Sequence, residues 1–67
     1  MKIFLNENII DIPDNSSMSD LIKIKGLSGR KNIVVTINGT VLDKECLSST
    51  KLSENDDVKI YTFVQGG

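Results

Sequence analysis

Ile33-Val34-Val35-Thr36-Ile37-Asn38-Gly39-Thr40-Val41-Leu42 is the stretch that decides how this chain folds. Ile33, Val35 and Ile37 alternate with Val34 and Thr36, and β-branched side chains, stiff at χ1, pack best on a pleated surface. Asn38-Gly39 follows without a spacer. Asparagine and glycine are the residues that most readily take positive φ, and a two-residue hairpin turn demands that at both central positions. Thr40-Val41-Leu42 is therefore predicted to return antiparallel to Ile33–Ile37.

Toward the N-terminus the same alternation recurs. In Met1 to Asn6, Ile3 and Leu5 share one face while Lys2 and Phe4 share the other, the pattern of a half-buried strand. Asn6-Glu7-Asn8 reads as a hairpin loop, because asparagine tolerates left-handed backbone, and a second strand is predicted over Ile9 to Ile12 with Ile10 and Ile12 facing inward. Pro13-Asp14-Asn15 ends that strand, since proline has no N–H for the ladder. Ser17-Met18-Ser19-Asp20 then has the spacing of a helix N-cap with an acid at its third position. Met18, Leu21, Ile22 and Leu27 recur at helical spacing, and Gly26 is a suitable stop, so a helix of about two to three turns is predicted to lay one apolar face across the sheet.

Toward the C-terminus, Asp43 to Thr50 is polar and irregular, with Leu47 and Leu52 as inward anchors. Ser53-Glu54-Asn55-Asp56 reads as a surface turn. A last strand is predicted from Val58 to about Val64, followed by Gln65-Gly66-Gly67. No internal repeat or low-complexity segment interrupts this order.

With 67 residues the chain forms one domain, near the size at which only about 60% of the unfolded surface is buried and there is little room for a private active-site cavity. Apolar residues make up 39% and charged residues 25%, a composition that collapses without a ligand. Eight basic and nine acidic residues are scattered, not gathered into a block, which argues against nucleic acid as a partner. No apolar run approaches the roughly 18 residues of a membrane span, so no membrane partner is expected and the predicted location is cytoplasmic. The single cysteine, Cys46, cannot pair internally and fits a reducing compartment.

Hairpin, helix, hairpin, long loop and final strand make an α+β chain. The economical arrangement is a mixed four- to five-stranded sheet with one helix packed across one face. A right-handed crossover from the first hairpin through the helix leaves a central slot beside the first strand, which the last strand fills. This is the ubiquitin-like β-grasp fold, predicted to span residues 1–64, with 65–67 as a tail ending in a diglycine. Glycines lack the β-carbon that would bar them from a narrow channel, so Gly66-Gly67 can be threaded into another enzyme's active site.

Along essentially its whole length the chain resembles the thiamine-biosynthesis sulfur carriers of the ThiS family. Met1-Lys2-Ile3-Phe4-Leu5-Asn6 is similar to that family's opening strand and turn, and Ser17-Met18-Ser19-Asp20-Leu21-Ile22 to its helix start. Ile37-Asn38-Gly39-Thr40-Val41-Leu42 is similar to its central hairpin, and Asp57-Val58-Lys59-Ile60 leads to its diglycine. Two stretches depart from the pattern. Glu54-Asn55-Asp56-Asp57 stands where the family commonly has a Glu-Gly-Asp turn, and Lys44-Glu45-Cys46 stands where an arginine and an aromatic or histidine are frequent. The related MoaD-like molybdopterin-synthase subunits are usually longer and often carry a Pro-Pro pair before the tail, whereas Thr62-Phe63-Val64-Gln65 has no proline. A molybdopterin carrier, a ubiquitin-like protein modifier and a β-grasp interaction domain with an inert tail are the alternative readings.

The resemblance implies that the chain is a cosubstrate and not an enzyme. A ThiF-type adenylating partner would join the Gly67 carboxylate to AMP, a persulfide sulfur donor would convert it to a thiocarboxylate, and a ThiG-type thiazole synthase would receive the sulfur. ATP belongs to the adenylating partner, and no bound cofactor is expected on this chain. Gly67 is the reactive end, Gly66 and Gln65 the part threaded into a partner, and Phe4, Tyr61, Phe63 and Val64 the docking candidates. If the first and last strands are neighbours, Phe4, Tyr61 and Phe63 are placed to form an aromatic ladder on the face away from the helix.

Three sharper readings of other residues are weaker. Cys46 as a persulfide relay lacks any histidine to lower its pKa and sits beside Glu45, so it reads as a small buried hydrophobe. Gly26-Leu27-Ser28-Gly29-Arg30-Lys31 follows a helix and lacks phosphate-loop spacing, so it reads as a solvated connection. Asp43, Glu45, Glu54, Asp56 and Asp57 lack the loop spacing of a hard-cation site, and no metal is expected.

Overall fold

The computed structural model describes residues 1–63. Its elements are β1 (Lys2–Leu5), β2 (Asn8–Asp11), α1 (Met18–Ile24), β3 (Ile33–Ile37), β4 (Thr40–Leu42), a 3-10 turn (Lys44–Cys46) and β5 (Asp57–Thr62). The strands form one five-stranded sheet in the order β2-β1-β5-β3-β4. β1 and β5 run parallel and every other pair is antiparallel, so the last strand fills the central slot beside the first.

Both hairpins close in two residues. Asn38 and Gly39 take φ of 49° and 87°, as the Asn-Gly signal requires. In the first hairpin Leu5 pairs with Asn8, which makes Asn6 and Glu7 the central residues, at φ 48° and 73°. The turn is one residue shorter than the sequence suggests, because Asn8 joins the ladder, and the geometry forces even a glutamate into the left-handed region. Ile12 lies beyond the strand end, where its N–H donates to the Met1 carbonyl at 2.8 Å and its side chain is buried. Ile10 is only half-buried.

The helix is two turns long and strongly punctuated. The Ser17 hydroxyl accepts from the Asp20 N–H at 3.1 Å, and the Asp20 carboxylate accepts from the Ser17 N–H at 2.9 Å, a complete capping box. The Ser17 N–H first, and then the Ser17 hydroxyl beside it, hold the Asp20 carboxyl below the ordinary carboxylate range. At the other end Gly26 has φ 72°, its N–H donates to Lys23, and the Leu27 N–H reaches back to Ile22 at 2.9 Å. That pair of bonds is the Schellman stop, and it folds Leu27 back toward Ile22.

The stretch after β4, irregular by sequence, has a purpose in the fold. Leu47 and Thr50 offer carbonyls to the Ser19 and Met18 N–H groups at 3.1 and 2.9 Å, satisfying first-turn donors that no helical residue can reach. Leu52 is buried and Leu47 packs partly against the core. The core is the space between helix and sheet, built from Ile3, Leu5, Ile12, Met18, Leu21, Ile22, Val35, Leu52, Val58 and Ile60. In the turn before β5, Asn55 takes φ 69°, the left-handed conformation that glycine would supply most cheaply, and its N–H donates to Lys2 at 2.7 Å.

Candidate functional site

The candidate site is the C-terminal end of β5, because that strand delivers the chain to Gly66-Gly67. Antiparallel pairing runs from Ile37 with Val58 through Ile33 with Thr62; beyond its ends the Asn38 N–H donates to the Asp57 carbonyl at 2.8 Å and the Phe63 N–H donates to the Asn32 carbonyl at 3.0 Å. Odd-numbered residues of β5 thus bond to β3. Even-numbered ones turn their main-chain groups toward β1, where the Val58 carbonyl accepts from the Asn6 N–H at 2.9 Å. Ile60 has no β1 main chain opposite it, and the Asn6 side-chain amide takes over. The backbone is therefore held on the β1 side as far as Ile60 and on the β3 side as far as Phe63.

Side chains follow the same parity. Val58 and Ile60 point into the core, while Asp57, Lys59 and Tyr61 stand on the open face. Phe63 is also exposed. Tyr61 pairs across the strands with exposed Val34, and Lys59 with Thr36, which in turn pairs with Val41. A shallow groove is lined by Asn6, Glu7, Lys59 and Tyr61.

Of the docking candidates, Tyr61 and Phe63 lie together at the end of β5, while Phe4 does not join them. The parallel register sets Phe4 beside Asp57, where its antiparallel neighbour is Ile9, and Lys59 intervenes before Tyr61 is reached. The aromatic ladder is thus not formed. Phe4 belongs to a separate patch with Ile9, and a second groove lined by Phe4, Glu7, Asn55 and Asp57 opens there. Val34 is the neighbour that the aromatic pattern alone overlooks, although its alternation with Val35 had already put it on the outer face. Val64, Gln65, Gly66 and Gly67 lie outside the described residues, as does the proposed boundary between domain and tail.

Cys46 is exposed, not buried, because the 3-10 turn carries it on its outer side with no buried residue among its three. Gly26 and Gly29 both have positive φ and shape a connection that leaves Ser28, Arg30 and Lys31 exposed. Among the described residues no three acidic, cysteine or histidine side chains gather as a metal site. No helix among them is long and apolar enough to cross a membrane.

Solved structures of other chains share this fold. A crystal structure of thiamine biosynthesis protein ThiS from Geobacter metallireducens superposes with a TM-score of 0.85 at 22% identity, covering all of both chains. A solution structure of a thiamine biosynthesis protein from the same organism gives 0.81 at 23% identity, covering all of this chain and 88% of the other. No curated protein matches the sequence. The ThiS family model matches residues 2–67, from the first residue of β1 through the diglycine, and the chain belongs to the ThiS family.

Proposed function

We propose that this protein is a sulfur carrier of thiamine biosynthesis whose reactive group is the Gly67 carboxylate. The observation that carries the reading is family membership over a match that runs through Gly66-Gly67. A terminal carboxylate, with a reference pKa of about 3.5, is an anion and a poor electrophile at neutral pH. A ThiF-type partner would overcome this by letting the Gly67 carboxylate attack the α-phosphate of ATP, releasing pyrophosphate and leaving an acyl-adenylate. A persulfide sulfur then attacks the Gly67 carbonyl and AMP departs. A thiol cleaves the resulting S–S bond, leaving the thiocarboxylate on Gly67 and a mixed disulfide on the donor. Transfer of that sulfur to a ThiG-type thiazole synthase returns the carboxylate.

The chain's own part is presentation. Main-chain bonds from β3 and the Asn6 amide fix the direction in which β5 leaves the sheet, so a partner that grips the Tyr61 and Val34 face receives the tail at a defined place. Gly66 and Gly67 supply reach through a channel too narrow for side chains.

Intact-mass measurement tests the reading after incubation with an adenylating enzyme of this class, ATP and a persulfide source. One oxygen-to-sulfur exchange on the wild-type chain, lost when a residue is added after Gly67, is the expected result. Equal sulfur loading of the extended chain would overturn it. A ladder of isopeptide conjugates in place of a thiocarboxylate would assign the protein to the modifiers.

A further inference from the structure

The helix side of the domain carries a groove that the carrier chemistry does not use. It lies between the end of α1, the connection that follows, the start of β3 and the 3-10 turn, with a volume of about 230 Å³. Its floor is aliphatic, formed by Ile22, Leu27, Ile33 and Leu47, and its rim holds Arg30 and Lys44. Two features build it. The Schellman stop turns Leu27 back beside Ile22, and the Lys44 ammonium donates to the Lys31 carbonyl at 3.2 Å, tying the far wall to the near one.

Arg30, Lys31 and Lys44 make no ion pair among the described residues, although the chain as a whole is slightly acidic. An aliphatic floor beneath unpaired cations is complementary to an apolar group accompanied by negative charge. The volume falls below the roughly 300 Å³ at which small-molecule sites begin, but it suits one large side chain. Three cations without an aromatic platform are too few for a nucleic-acid track.

We propose that this groove is a docking site for an acidic segment of a partner protein, anchored by one large apolar side chain with carboxylates on either side. Ile33 belongs to the inward face of β3 whereas Val34 and Tyr61 belong to the outer face, so the groove and the outer patch lie on opposite sides of the sheet. A protein held at the groove leaves the outer face free for a second one, and the proposal does not depend on the tail's chemistry.

The test is an NMR titration of the isotope-labelled full chain with a blocked pentapeptide of phenylalanine flanked on each side by two glutamates. The expected result is saturable movement of amide signals confined to residues 19–33 and 44–47. Arg30→Glu combined with Lys44→Glu is expected to weaken binding by about tenfold or more, through like charges facing each other. Arg30→Glu alone, in an exposed connection, retains the Lys44 tie and gives a smaller loss in the same direction. Absent or scattered shifts would overturn the proposal. So would equal shifts from a peptide with alanine in place of phenylalanine, which would show attraction of charge without an anchor.

Discussion

Asn6 replaces a missing strand for Ile60: its side-chain oxygen accepts from the Ile60 N–H at 2.9 Å and its side-chain nitrogen donates to the Ile60 carbonyl at 3.1 Å. The primary amide copies a peptide group, so the β1 side of the central strand stays satisfied after β1 has turned away at φ 48°. Asn6→Ala removes both bonds and places an ordinary residue in left-handed backbone. The expected loss is about 1–3 kcal/mol, the cost of orphaning buried main-chain groups. Asn6→Gly relieves the φ strain without restoring the bonds and should lie between the two. Thermal unfolding of the three proteins checks the order, since 1 kcal/mol shifts a domain of this size by about 4–8 °C.

Leu21 is fully buried between helix and sheet. Leu21→Ala should cost about 2–5 kcal/mol through lost burial and the cavity left behind. A domain of this length has only about 3–10 kcal/mol in total. The variant should therefore melt at least about 8 °C below the wild type, at about 4–8 °C per kcal/mol, which circular dichroism on heating will show.

The capping box gives stability a pH dependence with a defined sign. Asp20 has a folded pKa lowered by its bonds from Ser17, so its contribution is complete above the unfolded value of about 3.9 and is lost as pH falls through the lower folded value. Asp20→Asn should flatten the fall in stability in that acid window while leaving other slopes unchanged. Urea midpoints measured between pH 2 and pH 6 on both proteins decide it.

Tyr61 and Val34 form the exposed cross-strand pair nearest the tail. Val34→Glu with Tyr61→Ala should leave the fold intact, since such a pair is worth about 0.2–1 kcal/mol. Under the proposed carrier function the same change raises the KM of the adenylating partner for this protein about tenfold, equivalent to roughly 1.4 kcal/mol of docking energy, with kcat little altered. Steady-state pyrophosphate release against protein concentration separates the two constants.

Cys46 is exposed on the 3-10 turn. Cys46→Ser should change stability by less than about 0.5 kcal/mol and leave sulfur loading at the wild-type rate. Loss of loading with an unchanged melting temperature would make Cys46 part of the sulfur route.

Where local chemistry is decisive, the sequence was readable residue by residue. Asn38-Gly39 demanded a tight turn, Ser17 and Asp20 a helix start, Gly26 a helix stop, and all three stand where the spacing put them. The central position of β5 was also legible, since the crossover rule leaves one open slot. The aromatic ladder failed for a different reason. Alternation reveals which face a residue takes, but not the offset between strands distant in sequence, and it is the pairing of Phe4 with Asp57 that separates Phe4 from Tyr61.

By itself, then, the sequence determined the elements, their faces, the fold they make and the diglycine to which they lead, because each depends on φ preferences and periodicity within a few residues. Only the tertiary structure decided what meets across long separations. It brought Asn6 to Ile60, exposed Cys46, folded the Leu47 and Thr50 carbonyls over the first turn of the helix, and set Arg30 and Lys44 around an aliphatic groove. These contacts follow from the three-dimensional closure of a small core, where one loop's position is fixed by donors and apolar surface that other segments leave unsatisfied.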